Sequence, residues 1–560
     1  MTSWLGSLRP GPRHALVFVA AFAVLFFAMS REANMFDEGI IYGGALRLLD
    51  GQLVHRDFYS VYGPGSYAVL AGLFALLGPG FLLGRLWGLL VAAGIAALVH
   101  AIVAARTRPA VALGTAALAT LWMMVSPTYL APIYPCMALT LAAAAVLLRP
   151  DALRRSGTLL AAGALSGLTA LFRYDAGFFL FACSCLAAVM TALRGVPGRA
   201  GRRMAIRAVL LMGVGAGGVF APFGLWYLVH APLAAFRHDI IDYTIDYYPR
   251  MRGLPFPGPA TLLRQPDQIA IYLPLLVVAA ALPMIAQEWQ HLRGSAERAP
   301  VTIPAGLLLG LLAGVLYYKG AIRVSVLHMM MSLIPATALA GIVLDRWTRG
   351  PAPLRLLARG AAAAMVLIAL SGLRDSLHLF RVYPLRASWL WPAEAAGIVP
   401  APARCAGWNG MRFALVADKY ARTAYYLARH SNPADRVLVG LARTDRIFAN
   451  AMFLNYAANR LPGTHWSQFD PGLQNRRDIQ QQMIGELARG DVKWVVRDAS
   501  PPMDEPNGSA LSSGINLIDD YVDAHYRPVG RADDVSIWLR KDMAPAPLDA
   551  DPPECRLAPA

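Results

Sequence analysis

The sequence predicts an all-α polytopic membrane domain of about 11 transmembrane helices, with interfacial helices in its first outer loop, then a small α/β domain. Three observations predict it. Of 560 residues, 56% are hydrophobic and 15% charged, where a soluble domain carries roughly 25% charged residues. Apolar runs recur from residue 15 to residue 373, separated by Arg-rich clusters that fall on alternate sides. Beyond residue 373 the composition turns soluble.

The first run, Ala15 to Met29, follows Arg9, Arg13 and His14. It is short for a span, and "AMS" resembles a signal-peptidase site, but the many later spans favour a retained anchor. Further runs lie at about 81–105, 109–125, 136–148, 157–172, 176–193, 208–229, 268–286, 302–318, 326–344 and 361–373. The basic clusters at the N-terminus, 105–109, 149–155, 194–207, 288–298 and 345–360 then face the cytoplasm. The other loops and everything after 373 face outward, toward the periplasm of a Gram-negative cell. This orientation requires "GSYAVLAGLFALLG" (65–78) not to cross, in keeping with its length of about 14 residues.

The net charge of +16 comes almost wholly from Arg spread through short loops. A nucleic-acid binder gathers such charge on one face, so that class is excluded. Of the five Cys, Cys136, Cys183 and Cys185 lie in apolar runs and read as small core residues. Cys405 and Cys555 could pair outside the cytoplasm, although the Pro-rich setting of Cys555 favours the unpaired reading. There is no GxxxxGK[ST], HExxH or GxSxG motif, and "GVGAGG" (213–218) lies inside an apolar span, where small residues permit close helix packing.

In the C-terminal region, "DRVLVG" (435–440), "VKWVVRD" (492–498) and "VSIWLR" (535–540) read as strands. "NRRDIQQQMIGELARG" (475–490) reads as an amphipathic helix closed by Gly490. The expected division is a catalytic membrane domain over 1–373, containing the first outer loop 31–80, and an α/β domain over 374–560 with a disordered tail from about 543.

The outer loops hold the residues with chemistry in them. Asp37 and Glu38 follow the first span at once, and Ile40, Ile41, Gly44, Ala45, Leu48 and Leu49 recur after them at helical spacing. This predicts an interfacial helix with two acids at its N-terminus, ended by "DG" (50–51). Acids at that position commonly cap a helix; their place at the membrane edge favours catalysis or substrate binding. Asp57 follows, then Tyr62 in the tight turn "YGPG" (62–65).

Arg173 and Asp175 sit in a short outer turn, and Lys319 and Arg323 in another, with His328 entering the next span. Ionisable groups at a bilayer edge mark functional sites by default. The cations suit a phosphate clamp, with Lys as a point charge and Arg as a planar bidentate donor. The plainer reading pairs Arg173 with Asp175 and lets Lys319 snorkel to headgroups. In loop 230–266, Asp239, Asp242 and Asp246 recur at spacings that share one helix face, with Tyr243, Tyr247 and Tyr248 among them. Acids mixed with aromatics suit sugar binding, as do His465, Trp466 and Asp470 in "GTHWSQFDPG" (463–472).

The acidic pair after the first span, the "LLDGQLVHRDFYSVYGPG" segment and the polytopic layout with an outer domain together resemble the glycosyltransferase-C superfamily. Within it the chain is similar to bacterial relatives of protein O-mannosyltransferases and the lipid A aminoarabinose transferase. It has YGPG where the mannosyltransferases carry a His-Pro-Pro type turn. The resemblance implies sugar transfer from a polyprenyl-phosphate donor to a glycan, lipid or protein acceptor, with inversion and without a metal or other cofactor. Asp37 matches the family's catalytic base, Glu38 orients it or the acceptor, and Lys319, Arg323 or Arg173 holds the leaving phosphate. A ligase using a diphosphate-linked donor, or a lipid or polysaccharide transporter, is the rival expectation. Transporters tend to show internal repeats, and none is visible here.

Overall fold

The computed structural model describes residues 10–126, 130–292, 301–382, 405, 408–411, 413–499 and 504–559. The chain forms two compact units. One comprises Met1–Met29, Gly88–Tyr227 and Pro255–Leu385; the other comprises Ser30–Trp87, Leu228–Leu254 and Arg386–Ala560.

Every predicted apolar run is a helix, most of them wholly in the first unit: Pro10–Phe27, Phe81–Ala104, Pro109–Val125, Ile133–Leu147, Ser156–Phe172, Tyr174–Gly195, Gly198–His230, Leu273–His291, Ala305–Gly320, Val326–Thr348 and Ala352–Val382. Among the described residues six helices are long and apolar enough to cross a membrane, and the others in this set are shorter apolar helices. Lipid offers the backbone no hydrogen bonds, so each segment satisfies its own as a helix. Val326–Thr348 is the buried centre of this unit, whereas Gly198–His230 turns Leu210, Val214, Leu225 and Val229 outward. An outward apolar face is what hydrocarbon contact requires.

The reading of "GVGAGG" as a packing seam holds at Gly215. A Cβ there would collide with the Leu160 carbonyl oxygen, and one on Gly163 would collide with that of Met212. The two helices meet backbone to backbone. Gly215→Val is therefore expected to destabilise the unit by about 1–3 kcal/mol, read as a lower melting temperature in detergent. Gly213→Ala, where open space surrounds the position, is expected to leave it unchanged.

The second unit departs from the expected division. The first outer loop, assigned by sequence to the membrane domain, folds with the C-terminal residues. Its helices are Asp37–Leu49 and Gly65–Leu77. The latter, with 13 residues, spans about 20 Å at 1.5 Å per residue, too little to cross hydrocarbon. Asp37–Leu49 ends at Asp50 with Gly51 at φ 79°, as the turn signal predicts. It is not an interfacial helix with one face bare, because Glu38 through Ala45 are all buried. Tyr42 is enclosed by Phe74, Phe81, Phe453 and Tyr456, and a Cβ on Gly39 would collide with the Phe453 nitrogen.

The α/β portion carries a four-stranded sheet of β1 (Val437–Leu441), β2 (Trp494–Asp498), β3 (Tyr526–Ala532) and β4 (Val535–Arg540) in the order β1-β2-β4-β3. β1 and β2 are parallel, and the other pairs are antiparallel. The predicted helix forms over Arg477–Arg489 and buries Ile479, Met483 and Leu487. It lies between β1 and β2 in sequence, as the connection of a parallel pair requires. The sequence missed β3, whose Pro528 and Gly530 bracket a register shift at the sheet edge.

Two expectations about the tail are corrected. Cys405 and Cys555 form a disulfide rather than standing unpaired. The residues after 543, expected as disordered, include short helical turns at Leu548–Ala550 and Pro553–Cys555, and Ala558 pairs with Arg531 at the edge of β3. A second chain segment on that edge covers ladder groups that would otherwise face solvent.

Candidate active site

The acidic turn is built by Asn34. Its side-chain oxygen accepts from the backbone N–H of Phe36 (3.0 Å) and Asp37 (2.7 Å), and so starts the Asp37–Leu49 helix. Its own N–H donates to Glu38 Oε2 at 2.9 Å, a reciprocal arrangement like a capping box. The two acids then part company. Asp37 is half-buried, with Oδ2 3.4 Å from the Asn34 amide. Glu38 is 1% exposed and meets Arg85, itself 3% exposed, at 2.9 Å. Arg85 also donates to the Glu32 carbonyl at 2.5 Å and lies over the Phe81 ring.

Burial pushes the Glu38 carboxyl above its ordinary range, against the opposing pull of Arg85 and the Asn34 N–H. Glu38 therefore anchors the turn that presents Asp37 and does not reach outward beside it. Arg85 escaped the sequence reading, although a lone charge inside the 81–105 run was its signal.

Asp57 and His465 come together on one cavity in this unit. The Asp57 carboxylate accepts from Arg56 and from the Leu53 N–H at 2.7 Å, and these contacts hold it below the usual carboxylate range despite burial. His465 is pushed down to about 4, chiefly by burial. Tyr62 stands in its predicted turn, its N–H bonded to Ser60 Oγ at 2.9 Å.

The structure separates the three aspartates of loop 230–266. Residues 238–247 form a π-helix, whose i→i+5 bonding changes the residues per turn. Asp239 is buried and 2.8 Å from His55 Nδ1, Asp242 pairs with Arg237 at 3.3 Å near the surface, and Asp246 is exposed. They share no face. Tyr243 and Trp466 are core residues: Tyr243 is fully buried, and Trp466 packs on Tyr59 and donates to Gln482 at 3.0 Å.

In the other unit Asp175 gathers two of the predicted cations. Arg173 holds it with both ends of its fork at 3.1 and 3.0 Å, and Lys319 Nζ lies 3.6 Å away. Two cations on one carboxylate leave a net positive charge where Tyr174–Gly195 begins and Ala305–Gly320 ends. Arg323 is half-buried in the following turn, and His328 Nδ1 is 2.7 Å from Ser325 Oγ in the first turn of Val326–Thr348.

No family model matches this sequence, and no curated protein does. Among solved structures it is similar to ArnT from Cupriavidus metallidurans in the apo state, at 16% identity and a TM-score of 0.53, covering 94% of this chain and 97% of that one. The same protein bound to undecaprenyl phosphate gives 17% identity and a TM-score of 0.52, covering 95% and 99%. At such identity the likeness shows the fold alone, over nearly the full length of both chains.

Proposed function

We propose that the chain is an integral glycosyltransferase of the bacterial inner membrane, moving a sugar from a polyprenyl-phosphate donor to a periplasmic acceptor. The observation that carries this reading is the full-length fold likeness to a protein solved with undecaprenyl phosphate bound. The disulfide supports an oxidising, extracytoplasmic setting for the second unit.

In the proposed step an acceptor hydroxyl attacks the anomeric carbon from the face opposite the phosphate. The new carbon–oxygen bond forms as the sugar–phosphate bond breaks, inverting the centre. Asp37 takes the hydroxyl proton, and polyprenyl phosphate leaves with the bonding electrons. Charge grows on its oxygens as it departs, and Lys319 and Arg173 stabilise it, with Asp175 setting their positions. Arg323 is the further cation within the same turn region. Glu38 fixes the geometry of the Asp37 turn.

The test is sugar transfer by the purified protein from a polyprenyl-phosphate sugar, with Asp37→Asn as the decisive variant; full activity in it refutes the reading. Lys319→Ala is expected to raise the KM for the donor about tenfold, a loss of about 1.4 kcal/mol. The KM for the acceptor stays unchanged. An unaltered donor KM removes Lys319 from the clamp.

A further inference from the structure

The second unit contains a cavity of about 500 Å³ that the proposed transfer does not use. Four guanidinium groups line it, from Arg47, Arg56, Arg436 and Arg489, against the carboxylates of Asp57 and Glu486. We propose that this cavity is a binding site for a phosphomonoester group, carried on a small molecule of about monosaccharide size.

Arg47 carries the argument. It is 2% exposed; Nη1 donates to Asp57 O at 3.1 Å and Nη2 to Thr464 O at 2.5 Å, and the guanidinium lies over the Phe58 ring. Its Nε has no hydrogen-bond partner, and among the described residues no carboxylate lies within ion-pair distance of it. Burial is the main force pushing this group down to about 9, with repulsion from Arg436 next. A buried cation without a counter-ion costs several kcal/mol unless something supplies the opposite charge. Here the unsatisfied guanidinium borders an open cavity, so a ligand can supply it.

The two acids fill that role only in part, since both favour the charged Arg47 but from beyond ion-pair distance. Asp57 is engaged by Arg56 and the Leu53 N–H. Glu486 accepts from the His465 N–H at 2.9 Å, and burial pushes its carboxyl above its ordinary range against the pull of that N–H and of Arg47. Arg436 leans on Asp50 only at 3.5 Å, and Arg489 donates to the Gly485 carbonyl in its own helix. Several planar forks converging on one space match the oxygens and double charge of a phosphomonoester better than a single carboxylate. The volume falls within the range of small-molecule sites, roughly 300–1,000 Å³, leaving room for a sugar beside the phosphate.

The experiment is titration of the full-length protein in detergent with inorganic phosphate and, separately, glucose 1-phosphate at constant ionic strength. Melting temperature and calorimetric affinity are the readouts. Both probes are expected to raise the melting temperature where chloride does not. Glucose 1-phosphate binding at least tenfold tighter assigns an esterified ligand; equal affinities assign free phosphate. Arg436→Gln with Arg489→Gln, both near the surface, should weaken either probe about tenfold or more. Arg47→Gln should abolish binding without lowering the melting temperature, because it removes an uncompensated buried charge. Absence of saturable binding by wild type, or an unchanged affinity in the Arg436/Arg489 double variant, overturns the proposal. Asp37→Asn should bind both probes normally, which separates this site from the transfer reaction.

Discussion

Asp37→Asn is expected to reduce sugar transfer by about 10²–10⁴-fold, the usual contribution of a positioned general base, while leaving the melting temperature within a degree or two. The two halves of that expectation have different sources. Asparagine cannot take the acceptor proton. It preserves shape, however, and Asp37 is only half-buried, with a long 3.4 Å contact to the Asn34 amide. The start of the helix rests on Asn34 and Glu38 instead. A purified Asp37→Asn protein that melts normally but turns over like wild type would remove Asp37 from the chemistry; one that unfolds early would make it a structural acid.

Arg85→Ala is expected to do the converse, destabilising the second unit by about 3–5 kcal/mol because Glu38 is left charged and unpaired in the interior. Among the described residues Glu38 Oε1 has no hydrogen-bond partner, so the Asn34 N–H on Oε2 would be left to hold the carboxylate. Replacing both members, Glu38→Leu with Arg85→Leu, should recover most of the loss, since a buried pair exchanged for apolar side chains is often neutral or better. Transfer activity in that double variant should still be impaired, because the Asn34 N–H loses its acceptor and the Asp37 turn loosens. Protease sensitivity and thermal melting in detergent measure the first effect, and the KM-against-kcat split measures the second. An Arg85→Ala protein as stable as wild type would show that Glu38 is neutral and the pair unimportant.

Much of the membrane unit was legible because hydrocarbon leaves so little choice: every predicted run between residues 15 and 373 is a helix. Three strands and the Arg477–Arg489 helix were legible for a related reason: β4 and the helix show the period of their element, and β1 and β2 are short, largely apolar runs. Asp37 could be found by its position, and Arg173, Asp175 and Lys319 by the rarity of charge at helix ends.

What escaped depended on contacts distant in sequence. The interior position of Glu38 is set by Arg85, and the burial of Asp37–Leu49 by Phe453 and Tyr456. No local spacing encodes either. The π-helix at 238–247 defeated an argument built on α-helical period, and the Pro528 and Gly530 of β3 hid an edge strand. The Cys405–Cys555 bridge closes 150 residues, a pairing that composition near one end could not foretell.

The contact between Gly39 and Phe453 also sets a timetable. At 5–20 residues per second, roughly 400 intervening residues take about 20–80 s to synthesise, and until then the Gly39 flank lacks its neighbour. Early synthesis of the acid is not enough to ready it: the nascent protein stays unfinished, and inactive as proposed, until its last third has been made and folded.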